Sequence, residues 1–87
     1  MIDRIKKMIS NKLAISHIEI IDESSQHAGH SQSSGGGHYN AIIISDDFIN
    51  KNLVERHQMI YDVLGDMIQN EIHAFSMKTL TISEFKE

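Results

Sequence analysis

In residues 53–77 an amphipathic helical pattern runs, after a polar break, straight into a strand pattern, and this adjacency constrains the fold more than any other feature of the chain. At about 100° per residue, Leu53, Val54, His57, Ile60, Tyr61, Val63, Leu64, Met67 and Ile68 share one broad arc. Glu55, Gln58, Asp62, Gly65, Asp66 and Gln69 share the opposite one. Gln69, Asn70 and Glu71 then interrupt the period, and residues 72–80 alternate: Ile72, Ala74 and Ser76 fall on one face, His73, Phe75 and Met77 on the other. A strand reached through a helix in this way pairs in parallel with the strand before the helix, by a right-handed connection. One histidine lies inside the apolar arc and another opens the strand.

The rest of the chain supplies the partners for that unit. Residues 1–13 place Ile2, Ile5, Met8 and Ile9 at helical spacing, with Arg4, Lys6, Lys7 and Lys12 around the remainder of the wheel. Residues 17–22 (HIEIID) and 38–45 (HYNAIIIS) are short and rich in β-branched side chains, as strands are. Between them, residues 23–37 consist mostly of Ser, Gly, Gln and His and end in Gly35, Gly36 and Gly37, which predicts a flexible loop. Residues 46–52 read as a connector, with Asn52 as the N-cap of the long helix, and Thr81 with Glu84 has the spacing of a capping box that opens a final helical turn. The expected fold is α+β: one domain over residues 1–87, in the order α-β-β-α-β, with a three-stranded mixed sheet and helices on one face.

Eighty-seven residues bury only a small core, with no room for a deep substrate cavity, which argues against a self-sufficient enzyme. Ser24, Ser25, Ser31, Ser33 and Ser34 lie near histidines, but a Gly-rich loop holds no base in place; the glycine run lacks the GK(S/T) of a phosphate loop and leads into a strand. With no cysteine, the chain forms no disulfide, and any metal ligand it offers is His, Asp or Glu. The N-terminal stretch is too interrupted by charge for a signal peptide or membrane span, so a cytoplasmic protein is expected. A formal net charge of −4 opposes non-specific binding to nucleic acid. Of the six histidines, His57 reads as a packed core side chain, His17 as a surface one, and His27, His30 and His38 lie in or beside the loop.

The run SDDFINKNLVERHQMIYDVLGDMI, followed by IHAFSMKTLTISEF, resembles the BolA-like family across nearly the whole chain. The most specific parts are Arg56-His57 with Ile60-Tyr61 and Leu64, and the Ile72-His73-Ala74 strand opening. The resemblance implies a fold similar to the type II KH domain, although the GxxG clamp of true KH domains is absent. It implies an adaptor that binds a monothiol glutaredoxin and shares with it, and with glutathione, a two-iron two-sulfur cluster used in trafficking or in iron and redox sensing. His73 is carried over as one ligand and His27 as the second, with His30 and His38 as alternates. The same resemblance implies an alternative, a DNA-binding transcriptional regulator of cell morphology and stress response. For that role the available cations are Lys6, Lys7, Lys12, Lys51 and Arg56; where a second arginine often follows Arg56-His57, Gln58 stands here, and where a glycine often follows Phe48 by two positions, Asn50 stands here. Alone, the chain is expected to be a monomer or a weak homodimer.

Overall fold

The computed structural model describes residues 1–23, 37–65, 67–70 and 72–86, with positions 37, 69, 70, 72 and 73 described through the backbone alone. The elements are α1 (Ile2–Lys12), β1 (Ile15–Asp22), β2 (Gly37–Ser45), a 3-10 turn (Asp46–Phe48), α2 (Leu53–Leu64), α3 (Met67–Asn70), β3 (Ile72–Leu80) and α4 (Ile82–Lys86). The sheet has the order β1-β2-β3, antiparallel between β1 and β2 and parallel between β2 and β3. The expected mixed sheet and element order therefore hold. Most of the stretch expected to be a flexible loop, residues 24–36, lies outside the described residues; at its ends, Gly37 is already paired with Ile72, and the Glu23 amide donates to the His38 carbonyl at 2.7 Å.

Strand alternation sends Ile20, Tyr39, Ala41, Ile43 and Phe75 to one face of the sheet, where Ile5 and Ile9 of α1 and Ile60 and Leu64 of α2 close over them. Phe48, at the end of the 3-10 turn, is wholly buried in the same cluster. Burying such a ring contributes roughly 2–3 kcal/mol, enough to fix the course of the connector between β2 and α2. Within that connector Asn50 has φ 65°, in the left-handed region that Gly and Asn enter most readily, which accounts for asparagine at a position where glycine is common. Asn52 then caps α2: its side chain accepts from the Glu55 amide at 2.8 Å, and Glu55 returns a bond from the Asn52 amide at 2.9 Å.

Two features of α2 differ from the sequence reading. The helix ends at Leu64 rather than running on to Gln69, because Gly65 adopts φ 55° and its amide closes the last turn on Tyr61; α3 follows as a separate turn. The buried stripe is also rotated. It consists of Arg56, Ile60 and Leu64, while Leu53 and Val54 are 63% and 78% exposed and Tyr61 is 38% exposed. Arg56 turns inward on this stripe, toward Thr79 and Glu84.

Candidate functional site

At one end of the sheet β1 finishes while β2 and β3 begin, because β2 and β3 run in parallel. Asp22 stands opposite Tyr39, and residues 24–36 leave and return at this end. Burial, and then the charge of Asp22, hold the Tyr39 phenol above its usual range. The Asn40 amide reaches the Glu23 carboxylate at 3.4 Å.

The pairing of β2 with β3 is irregular here. Gly37 pairs with Ile72, but the next residue, His38, pairs with Ala74, so the register slips by one residue at His73 in the manner of a β-bulge. Such a slip takes a residue out of the regular backbone pairing, a device common beside functional sites. His73 thus occupies a backbone position set apart from the plain face alternation expected from the sequence, one residue from the partner of His38. His38 is half-buried on the neighbouring strand. The topology brings these two histidine positions together at the end of the sheet where β1 finishes, whereas His27 and His30 lie outside the described residues. Among the described residues, no three His, Asp or Glu side chains converge on one point that would hold a metal.

The cations assigned to a nucleic-acid surface are dispersed differently. Arg56 is 8% exposed and uses four of its five N–H donors: its Nε donates to the Lys51 carbonyl at 2.9 Å, its Nη1 to the Thr79 carbonyl at 3.1 Å, and its Nη1 and Nη2 to Glu84 at 2.7 and 3.1 Å. Its guanidinium also lies 5.8 Å from the centre of the Phe48 ring. A guanidinium held in this way is largely withdrawn from the surface on which Arg56 is expected as a contact residue. Lys7, Lys12 and Lys51 are exposed and Lys6 is half-buried, with Lys6, Lys7 and Lys12 on α1 and Lys51 ahead of α2. His57, expected in the core, is half-buried on α2.

The Arg56 network belongs to the opposite end of the sheet and ties α4 down. Glu84 accepts the Thr81 amide at 2.9 Å while Thr81 Oγ1 accepts the Glu84 amide at 3.1 Å, the box that the Thr81 and Glu84 spacing predicts. Arg56 first, and then the Thr81 amide, hold the Glu84 carboxyl down to about 2. The bulge at His73 carries no sequence signal, because it arises from the register of two strands far apart in the chain. The ion pair has half a signal: the capping box locates Glu84, and nothing local pairs it with Arg56.

No helix among the described residues is long and apolar enough to cross a membrane. The model of the BolA family, BolA-like protein, matches residues 9–84. A Buchnera aphidicola protein, BU473, is 41% identical over 86 residues, covering 99% of this chain and 81% of its own. The DNA-binding transcriptional regulator BolA of Escherichia coli is 27% identical, with 97% and 78% covered. SufE-like protein 1 of Arabidopsis thaliana is 38% identical over 93% of this chain but only 24% of its own length. The solved BolA domain of that plant protein superposes with a TM-score of 0.80 at 39% identity, over 94% of this chain and 92% of the domain. By its residues, its sheet topology and these likenesses, the chain belongs to the BolA-like family.

Proposed function

We propose that this chain is a non-enzymatic adaptor that binds a monothiol glutaredoxin and shares a two-iron two-sulfur cluster with it, His73 being its fixed ligand and a loop histidine its second. The observation that carries the reading is the register slip at His73 beside His38, at the end of the sheet where the chain leaves β1 for the stretch that contains His27 and His30. The donor set fits the group: this chain offers imidazoles and no thiolate, and imidazoles can replace two thiolates on one iron of such a cluster. Thiolates for the other iron come from the partner's cysteine and from glutathione. Chain length allows His27 to take part, since four residues beyond Glu23 reach up to about 14 Å, and β3 lies about 10 Å from β1 across two strand spacings. When bound, the cluster supplies a redox-active and transferable iron-sulfur unit. The residues of this chain orient it and set its sensitivity to acid, because a protonated imidazole cannot ligate.

The test is to mix the His73→Ala protein with cluster-loaded glutaredoxin. His73→Ala alters the visible spectrum and lability of the shared cluster most; His27→Ala alters them less, because His30 or His38 substitutes for it. An unchanged spectrum and stability in His73→Ala would replace the adaptor reading with that of a plain protein scaffold.

A second reading, a DNA-binding regulator, rests on what relatives are named, the Escherichia coli protein and a Haemophilus influenzae one 36% identical over 74% of this chain. The commitment of Arg56 to Glu84 and the net charge of −4 weigh against tight binding here.

A further inference from the structure

The sheet order β1-β2-β3 leaves the outer side of β1 without a strand partner among the described residues. Edge strands are ordinarily guarded against pairing by charged side chains, above all Lys, by Pro, by a bulge, or by a covering helix or loop. Residues 17–22 contain neither Lys nor Pro, their charges are confined to Glu19 and Asp22, and the irregularity of β1 at Ser16 leaves residues 17–19 in regular pairing. His17 and Glu19 project from the same face of β1, their Nε2 and Oε2 atoms 3.6 Å apart, with side chains 51% and 61% exposed. We propose that β1 is a self-pairing edge, through which two copies of this chain join antiparallel about Ile18 into one continuous sheet.

The sequence of the strand selects both the occupant and the register. A two-fold axis normal to the sheet pairs residues that share a face, so only registers centred on a residue are allowed. Centring on Ile18 sets His17 of each copy opposite Glu19 of the other, an imidazole beside a carboxylate twice over, with the two Ile18 side chains meeting on the axis. Centring on His17 sets the two imidazoles against each other, and centring on Glu19 sets two carboxylates together. The strand is thus complementary to itself in one register and opposed to itself in the two neighbouring ones. A single strand edge buries less than the roughly 1,200 Å² of a stable interface, so the dimer is weak, with dissociation at high micromolar concentration.

Sedimentation velocity between about 10 μM and 1 mM should show a monomer–dimer equilibrium in the wild-type protein. Glu19→Lys, which places a cation opposite His17, should weaken association about tenfold, and adding His17→Glu to it should restore association to within about threefold. Because the chain has no cysteine, oxidised Ile18→Cys should give a disulfide-linked dimer, whereas Ile42→Cys on the central strand β2 should not. Circular dichroism checks that each variant is folded, and the cysteine pair decides the matter if the charge-swapped protein is not. The proposal is overturned if the wild-type protein stays monomeric to 1 mM, if the double swap does not rescue, or if Ile42→Cys links as readily as Ile18→Cys. It is equally overturned if a foreign strand-forming peptide protects the β1 amides of a protein that never self-associates.

Discussion

The two ends of the sheet are built on opposite principles. Where β1 begins and β2 and β3 end, polar groups are locked to one another across the chain: Ser45 Oγ donates to the Ala14 carbonyl, Asp47 accepts the Ala14 amide, Asp46 accepts the Ile82 amide, and Arg56 binds Glu84 and two carbonyls. Where β1 ends and β2 and β3 begin, the pairing slips at His73, and a histidine-rich stretch enters and leaves. One end holds the fold together and the other holds the candidate site. The two tasks are therefore separable by mutation.

The largest expected effect lies at the locked end. Arg56→Ala removes the bidentate partner of Glu84, leaves the Thr79 carbonyl short of a donor and uncovers the Phe48 ring, so urea unfolding should show a loss of about 2–4 kcal/mol. The residual folded protein should still alter the cluster spectrum as wild type does. Gly65→Ala comes next, at about 1–3 kcal/mol, because a Cβ there meets no atom within 4 Å and the cost is the backbone conformation alone.

Acid then distinguishes the two ends. Glu84 is held at about 2 against an ordinary 4.5, so its contribution is complete above about 4.5 and disappears as pH falls through about 2. Glu84→Gln should flatten the acid limb of stability across that window. The histidine end responds in the opposite sense to structure: His73→Ala should change unfolding by less than about 0.5 kcal/mol while changing the cluster spectrum. The smallest effect concerns DNA. With Arg56 committed to Glu84, neutralising a few phosphates through α1 lysines gives a slope of log K against log salt of about −0.9 per contact and little affinity near physiological salt. A steep slope with strong sequence discrimination would favour the regulator reading.

Much of the fold was legible because its determinants are local. Alternation in residues 74–79, the cap at Asn52 and the box at Thr81 and Glu84 are each written within a few positions, and all three are present. The orientation of α2 was not legible, since an arginine on a helix is ordinarily solvated and the partner that draws Arg56 inward is 28 residues away. The early stop of α2 was weakly written, in a single Gly65 that also fits a helix interior. At the candidate site, the family resemblance names His73, but the bulge that sets it apart depends on strand register and is invisible before the strands are paired.

The most direct test of histidine ligation uses this chain labelled with ¹⁵N-histidine, mixed with cluster-loaded, unlabelled glutaredoxin, reduced, and read by pulsed electron paramagnetic resonance. The account predicts a strong ¹⁵N coupling to the cluster that weakens sharply in His73→Ala. A cluster that shows no histidine-nitrogen coupling from this chain, in a mixture where the two proteins are demonstrably bound, would contradict it.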